Sequence, residues 1–334
     1  MRFSREILNV ACLTLALASA ATAVSLDLPQ GFKVDGTVLR DINDQPLVMR
    51  GVNVSHTWFP EHTYETLERA SAMGCNTVRI VLSNGEQWNR TPPDELNQVL
   101  NWCERFSLVA VVEIHDATGY GDKPEAANPQ TAVDYWLDDG IFEVLRGTDH
   151  RVILNIANEP FGNQGSSAWF EFHLSAIQQL RDAGYKHTLM IDGAHWGQDS
   201  KGLMLEKGPE LLESDPERNV MFSVHMYEWY PTEQEVRAYL QRAMDQNLCI
   251  IVGEFGMEHN GKPVAAEAIL LACEQWDLGY LGWSWSGNNE PVAQLDLVID
   301  FDATQLSPWG ELLFHHEKAG IQASSRKADI FFWY

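Results

Sequence analysis

Two glutamates follow apolar runs of the sequence, where burial of a carboxylate costs free energy and therefore suggests a function. Glu159 follows Asn158, which comes directly after the mostly apolar run 152–157. Glu254 lies in the sequence Gly253-Glu254-Phe255-Gly256, which follows another apolar run. A buried carboxylate loses its hydration unless a partner replaces it, so such positions favour catalytic groups over turn caps or simple arginine partners. Two acids in different surroundings can divide general acid/base and nucleophilic roles. We predict the acid/base role for Glu159 and the nucleophile role for Glu254.

The elements that must position these acids follow an alternating pattern. Short runs rich in β-branched residues alternate with amphipathic stretches, which predicts parallel strands joined by helical crossovers. A doubly wound open sheet would need a glycine-rich phosphate turn after its first strand, and this chain has none there. The predicted fold class is therefore α/β, a single-domain (β/α)8 TIM barrel. The predicted strands are Leu47–Val52, Thr77–Leu82, Leu108–Ile114, Val152–Ala157, Thr188–Ile191, Val220–Val224, Cys249–Val252 and Leu281–Trp285.

The stretches between the strands have helical periodicity. The predicted helices are Tyr64–Met73, Asp94–Phe106, Val133–Leu145, Ala168–Ala183, Glu233–Asp245 and Ala265–Trp276. In the segment 200–214 the pair Gly208-Pro209 is expected to break the helix. Before the first strand, Asp35-Gly36 lies between alternating residues, which predicts a hairpin that closes the bottom of the barrel.

In such barrels the active site collects where the strands end, at their C-terminal edges. Those edges carry further polar and aromatic side chains suited to binding a sugar. The candidate substrate-binding residues are Arg79, His115, Asn158, His225, Tyr227, Trp283, Trp58 and Trp196. Structural alternatives exist for each class: a buried salt bridge for the arginine, a satisfied core position for each histidine, and core packing for each tryptophan.

Particular roles follow from the chemistry of these groups. A buried arginine needs an anion, so Arg79 is expected to hold Glu254 ionised with help from the Tyr227 phenol. Two glutamates facing each other across a barrel are what glycoside hydrolysis requires. Sugars stack on flat indole faces. Strand alternation would put Trp283 and Trp285 on one side of the eighth strand, with Trp283 beneath the sugar at the cleaved bond.

Several motifs of this chain resemble glycoside hydrolase family 5. The resemblance rests on Leu154-Asn-Ile-Ala-Asn-Glu-Pro160 and Ile251-Val-Gly-Glu-Phe-Gly256. Four further motifs resemble the bacterial endo-β-1,4-mannanase branch of this family: Gly51-Val-Asn-Val-Ser-His-Thr-Trp58, Glu113-Ile-His-Asp-Ala-Thr-Gly119, Trp196-Gly-Gln-Asp199 and Gly282-Trp-Ser-Trp-Ser-Gly-Asn288. The motifs occur in order over most of residues 45–320. Ala194-His195, before the tryptophan, departs from the pattern and bears on details of the sugar cleft.

The resemblance implies a retaining double displacement on β-1,4-mannosidic bonds of mannan, glucomannan or galactomannan. Glu159 matches the acid/base and Glu254 the nucleophile of the family, and the other candidates match its substrate-binding residues. The reaction needs no cofactor, and the sequence has no Cys-x-x-Cys or paired-histidine spacing for a metal. The alternative in the same family is an endo-β-1,4-glucanase. A non-catalytic carbohydrate-binding barrel is disfavoured because both glutamates are present.

Charge and the N-terminal residues indicate where the protein works. Residues 1–23 have a basic start, an apolar centre and Ala21-Thr-Ala23, which predicts a signal peptide, a catalytic domain over 24–334 and secretion. The full chain has a net charge of −24, and removal of two arginines and one glutamate with residues 1–23 leaves −25. Such a surface disfavours nucleic acid and anionic lipid as partners. We expect a monomer that binds a neutral polysaccharide and has no membrane span.

Four cysteines remain after the predicted signal peptide. Cys75, Cys103, Cys249 and Cys273 all lie in apolar stretches. An exported protein permits disulfides, and four cysteines allow three pairings. Buried free thiols are the equally weighted alternative.

Overall fold

Eight parallel strands form the centre of the molecule and close into a barrel in the order β8-β1-β2-β3-β4-β5-β6-β7. The computed structural model describes residues 31–331, so the expected signal peptide 1–23 lies outside the described part. The strands are β1 Arg50–Val54, β2 Thr77–Leu82, β3 Val109–Ile114, β4 Val152–Asn155, β5 Leu189–Asp192, β6 Val220–Met226, β7 Ile250–Phe255 and β8 Gly279–Gly282. Helices lie between the strands, so the predicted (β/α)8 barrel is confirmed.

The helices pack around the barrel through one apolar face each. They are α1 Thr63–Ala72, α2 Pro93–Arg105, α3 Gln130–Trp136, α4 Asp139–Leu145, α5 Trp169–Asp182, α6 Leu203–Ser214, α7 Glu233–Asp245, α8 Ala266–Gln275, α9 Pro308–His315 and α10 Ile321–Ser324. Within the described residues, no helix is both long and apolar enough to cross a membrane.

Two helix predictions are wrong, and each has a physical reason. The predicted helix 133–145 is two helices, because the Asp138 side chain accepts from the backbone N–H groups of Gly140 and Ile141 and begins α4. In contrast, α6 continues through Pro209 instead of breaking. Gly208 faces Leu248 and Phe222 so closely that an added Cβ would lie 3.0 Å from Leu248. The residue before the proline is thus packed tightly against its neighbours, and the helix runs on to Ser214.

The strand boundaries shift in a way that matters for the site. The first strand begins at Arg50 rather than at Leu47, since the Leu47 N–H donates to the carbonyl of Leu39 in the hairpin at 2.8 Å instead of to a barrel strand. The seventh strand extends to Phe255, so Glu254 lies within the strand instead of after it. The eighth strand ends at Gly282, three residues earlier than predicted.

The predicted hairpin closes the bottom of the barrel. Strands Lys33–Asp35 and Val38–Arg40 pair in antiparallel fashion, and Gly36 takes the positive φ of +61° that the turn requires. Phe32, just before the hairpin, and Leu39, within its second strand, pack against the starts of the barrel strands. The hairpin therefore covers the N-terminal ends of the strands and leaves their C-terminal ends uncovered.

All four cysteines of the described residues are buried free thiols. Burial raises the pKa of Cys75, Cys103, Cys249 and Cys273 to about 12. The disulfide alternative is excluded for these residues in this structure, and the thiols act as small apolar side chains in the core.

A buried ion pair joins α5 to the loop before β6. Both Arg181 contacts with Asp215 are short, at 2.8 and 2.9 Å, and the two side chains are 3% and 0% exposed. The same guanidinium also donates to the backbone carbonyls of Tyr185 and His187. A pair of equal length, Arg218–Glu213 at 2.8 Å, lies on the surface nearby with both side chains more than half exposed.

We predict that Arg181→Ala lowers the free energy of unfolding by about 3–5 kcal/mol, since it leaves a buried carboxylate without a partner. The matched control Arg218→Ala should cause no measurable loss, because solvent screens the exposed pair. Urea denaturation of both variants measures the difference. Equal losses in the two variants would contradict this account of the buried pair.

Candidate active site

The fold brings Glu159 and Glu254 to the same place at the C-terminal end of the barrel. Glu254 lies in β7 directly opposite His225 of β6, and Glu159 follows the end of β4. One carboxylate oxygen of each glutamate and one ring nitrogen of His225 all lie within 4.8 Å of one another. All three residues are buried. The backbone of Glu159 has a φ of +36°, an unusual conformation for a residue with a side chain and one found often at functional sites.

Arg79 connects the groups of this site from the middle of β2. Its guanidinium is fully buried and donates to Glu254 Oε1 at 2.8 Å and Asn158 Oδ1 at 2.7 Å. Its other acceptors are Asn155 at 2.9 Å, Asn53 at 3.1 Å and Asp192 at 3.2 Å. Burial alone would lower the pKa of Arg79, but the charges of the surrounding carboxylates raise it above its usual value. The guanidinium is therefore a permanent cation.

Glu254 has a donor on each of its oxygens. Arg79 donates to Oε1, and the Tyr227 hydroxyl donates to Oε2 at 2.9 Å. Burial raises the pKa of Glu254 above its usual range, with a further rise from Glu159, while the charges of His225 and Arg79 oppose the shift. Burial and the same glutamates also raise the pKa of Tyr227, so its hydroxyl keeps its proton and remains a donor.

Glu159 is held by an imidazole and by a tight backbone. His225 Nδ1 lies 2.7 Å from Glu159 Oε1, and a Cβ added to Gly197 would lie 3.0 Å from the same oxygen. Burial alone would lower the pKa of His225, but Glu254, Asp192 and Glu159 raise it to about 10. These carboxylates favour the protonated form of the imidazole, which lies between the two glutamates.

Asn158 and His115 extend the site from β4 and β3. Asn158 donates to Thr118 Oγ1 at 2.8 Å, and its amide nitrogen lies 3.5 Å from His115 Nε2. His115 Nδ1 lies 2.9 Å from the buried carboxylate of Glu113, which fixes the orientation of the ring. One amide hydrogen of Asn158 is thus only weakly engaged within the protein.

Aromatic rings form a wall beside the acids. Trp283 stacks on His115 with ring centres 5.7 Å apart, and Trp58 meets His115 edge to face at 5.0 Å. Trp285 does not share this side, and that prediction is wrong. Because β8 ends at Gly282, strand alternation no longer applies, and Trp285 packs into the outer core instead.

Trp196 lies apart from this wall, in the loop after β5. Its indole N–H donates to Asp122 at 2.9 Å, and Lys123 lies 4.9 Å above the ring. The ring also lies against Gly119, whose backbone N–H donates to the carbonyl of Glu159 at 2.9 Å. Trp196 therefore adjoins Glu159, while Trp58 and Trp283 adjoin His115.

Three groups that the sequence analysis did not assign to the site contribute to it. Trp88 meets Trp58 edge to face at 5.3 Å, and Asp116 holds the loop that carries Trp88 through the N–H groups of Asn84 and Gln87. Asp192, at the end of β5, contacts both Arg79 and the backbone of Glu159. Asp116 and Asp192 lie at the ends of predicted strands, so their positions in the sequence were enough to predict that they belong to the site.

The grouping of Glu159, Glu254 and His225 also has the spacing of metal ligands. The positive charges of Arg79 and His225 oppose a cation there. The expectation of a metal-free and cofactor-free enzyme stays a prediction.

Comparison with known proteins shows the family of this chain. The model of the cellulase family, glycosyl hydrolase family 5, matches residues 40–289. A mannan endo-1,4-beta-mannosidase of Cellvibrio japonicus (strain Ueda107) is 45% identical over 98% of this chain and 75% of the relative. A protein of the same name from Salipaludibacillus agaradhaerens is 39% identical over 90% of this chain and 96% of the relative.

A solved structure shares both the fold and much of the sequence. The beta-mannanase from Streptomyces thermolilacinus, crystallised with mannohexaose, is 42% identical and superimposes with a TM-score of 0.87 over 90% of this chain and 98% of that chain. Because the family match spans most of the barrel and these relatives cover nearly the whole chain, the protein belongs to glycosyl hydrolase family 5.

Proposed function

We propose that this protein is a secreted, retaining endo-β-1,4-mannanase that cleaves internal bonds of mannan, glucomannan or galactomannan. The observation that carries the proposal is the close approach of Glu159 and Glu254 beside Arg79 and His225, within 4.8 Å for the two glutamates and the imidazole. Retaining glycosidases hold their carboxyl groups about 5–5.5 Å apart, whereas inverting enzymes leave about 6.5–9.5 Å for a water. The names of the relatives support mannan as the substrate.

In the first step, Glu254 attacks the anomeric carbon of the sugar. Arg79 and Tyr227 hold the carboxylate in place and stabilise its charge before attack. A bond forms between a Glu254 oxygen and the anomeric carbon, the glycosidic bond breaks, and Glu159 gives its proton to the departing oxygen. The product chain leaves as an alcohol, and the remaining sugar is bound to Glu254.

In the second step, Glu159 takes a proton from water. The resulting hydroxide-like oxygen attacks the anomeric carbon, the bond to Glu254 breaks, and the sugar regains its original β configuration. Glu159 is protonated again and Glu254 is ionised, so both acids return to their starting states. Each of the two displacements inverts the configuration at the anomeric carbon, so together they give net retention.

The neighbouring side chains have roles in sugar binding. Asn158 has an amide hydrogen available for the sugar 2-hydroxyl, where a hydrogen bond strengthens in the transition state. Trp283 provides the platform under the sugar at the cleaved bond, with His115 and Trp58 beside it. Trp196 adjoins the acid/base, so it contacts the leaving part of the chain.

The remaining expectations concern the protein outside its active site. Secretion depends on the signal peptide predicted for 1–23, and the net charge of −25 expected after its removal suits a neutral polymer as substrate. We propose that the enzyme acts as a monomer without a cofactor.

Substrate preference is tested with two polymers. The purified enzyme should release reducing ends from locust-bean galactomannan and little or none from carboxymethyl cellulose. Product stereochemistry, followed by proton NMR on a manno-oligosaccharide, should show the β anomer first. Exclusive cleavage of the cellulose derivative would support the glucanase alternative, and an α anomer as first product would overturn the retaining mechanism.

The two glutamates are distinguished by paired variants, Glu254→Ala and Glu159→Ala. Each should lower kcat/KM on mannan by at least about 10²-fold, the usual scale of a lost acid/base or nucleophile. With azide and a dinitrophenyl β-mannoside, Glu254→Ala should yield the α-glycosyl azide, since azide replaces the nucleophile. Glu159→Ala should yield the β-azide, since azide attacks the glycosyl-enzyme. The opposite products would exchange the two roles.

The acid side of the pH profile is expected to report Glu254. As pH falls through the raised pKa of this residue, its carboxylate is protonated and cannot attack, so kcat/KM falls. Tyr227→Phe removes a donor that favours the ionised form, which raises the pKa further and should move the acid limb upward by about one pH unit. Tyr239→Phe is the control, because this buried hydroxyl donates to Asp199 outside the site. An unchanged acid limb in Tyr227→Phe would contradict the assignment.

A further inference from the structure

Asp192 is a buried carboxylate that the mechanism above does not use. It ends β5, is fully buried, and lies behind the acids. Its Oδ2 accepts from Arg79 at 3.2 Å and from the backbone N–H of Glu159 at 3.1 Å. The same oxygen lies 3.4 Å from His225 Nε2. One carboxylate thus contacts a neighbour of Glu254, the backbone of Glu159 and the ring that touches the Glu159 side chain.

Asp192 is fixed in place and ionised. Asn155 donates to its Oδ1 at 3.2 Å, and the Trp169 indole donates to its backbone carbonyl at 2.8 Å. Although burial would raise the pKa of Asp192, the charges of His225 and Arg79 lower it well below its usual range. Its negative charge is therefore a constant feature of the site.

The surroundings of His225 determine its protonation. Nε2 lies 3.4 Å from Asp192 Oδ2, an ion-pair contact without the alignment of a hydrogen bond, while Nδ1 lies 2.7 Å from Glu159 and 3.5 Å from Glu254. A neutral imidazole has one N–H and one lone pair, so one of its nitrogens would present a lone pair to an acid oxygen. An imidazolium has a proton on both nitrogens, so it presents positive charge to Asp192 on one side and a donor to Glu159 on the other. The positive charge of Arg79 nearby is balanced by Asp192 and Glu254, with which it pairs, so it does not prevent protonation of His225.

The two oxygens of Glu159 are unequal as a result. His225 Nδ1 and the backbone of Gly197 both lie against Oε1. If Nδ1 carries a proton, Oε1 must accept, and the acid proton of Glu159 resides on Oε2. If Nδ1 carries a lone pair, a proton on Oε1 would bind to it and be withheld from the substrate.

We propose that Asp192 is a positioning residue that keeps His225 protonated on both nitrogens and so places the acid proton of Glu159 on Oε2. This inference rests on the proposed acid/base role of Glu159. Asp192 itself contacts neither the substrate nor the reacting atoms. It acts on Glu159 through His225, so its larger contribution falls on the step that needs an acid, while its contact with Arg79 affects Glu254 for every substrate alike.

The test compares Asp192→Asn with Asp215→Asn, a matched change of a buried carboxylate that pairs with Arg181 and lies in the loop before β6, at the end of the barrel opposite the acids. Asparagine retains the size of aspartate and an oxygen that can accept from Glu159 N–H and Arg79, but it lacks the charge. kcat/KM is measured on mannohexaose, whose leaving group needs protonation, and on a dinitrophenyl β-mannobioside, whose leaving group does not.

Asp192→Asn should lose at least about 10²-fold on mannohexaose and less than about tenfold on the dinitrophenyl substrate. Asp215→Asn should change both values by the same factor. Equal losses of Asp192→Asn on the two substrates, or no loss, would overturn the proposal. An enzyme whose wild type hydrolyses neither substrate would instead refute the proposed function, so the two failures are distinct.

A measurement on the wild type covers the case in which Asp192→Asn does not fold. Nitrogen NMR of 15N-histidine-labelled enzyme, with His225→Gln to assign the signal, should show both ring nitrogens of His225 protonated at pH 7. A neutral tautomer at that pH would overturn the proposal regardless of the variant.

Discussion

A single buried cation holds the active site together. The Arg79 guanidinium has 0% exposure and lies among Glu254, Asp192, Glu113 and the oxygens of three asparagines. Burying that charge is costly unless anions and acceptors surround it, and burying the acids is costly without the cation. The buried guanidinium and the buried carboxylates therefore stabilise each other. The outcome is a set of side chains from six different strands, or the loops after them, whose positions depend on one another.

The barrel makes this arrangement possible because its strands are parallel. All eight C-terminal edges meet at one end, so residues far apart in sequence become neighbours without any special connection. The opposite end is closed by the hairpin at residues 33–40 and by apolar side chains at the strand starts. The polar interior of one end is thus separated from the apolar packing that stabilises the other.

The fold and most of the site were predictable because they follow from local patterns and this one geometric rule. Hydrophobic runs located the strands, and their ends nominated Glu159, Glu254, His225 and Tyr227. A charged residue inside an apolar strand nominated Arg79, and the structure brings all five together. The roles of these residues remain predictions.

Sequence reasoning failed where contacts between distant residues decide. Asp138 divides a helix by capping, a helix runs on past Pro209 beside the tightly packed Gly208, and Trp285 turns outward because its strand ends early. The position of Trp88 depends on Asp116, a contact between two loops. No periodicity in the chain encodes such contacts.

The four buried thiols bear on how the chain can be produced. Since Cys75, Cys103, Cys249 and Cys273 form no disulfide and burial raises the pKa of each to about 12, very little thiolate is available to attack an oxidised partner. Folding of the barrel therefore needs no oxidase or disulfide isomerase. The enzyme should assemble equally well in a reducing cytoplasm and in an oxidising medium, so recombinant expression without export is a practical route to active material.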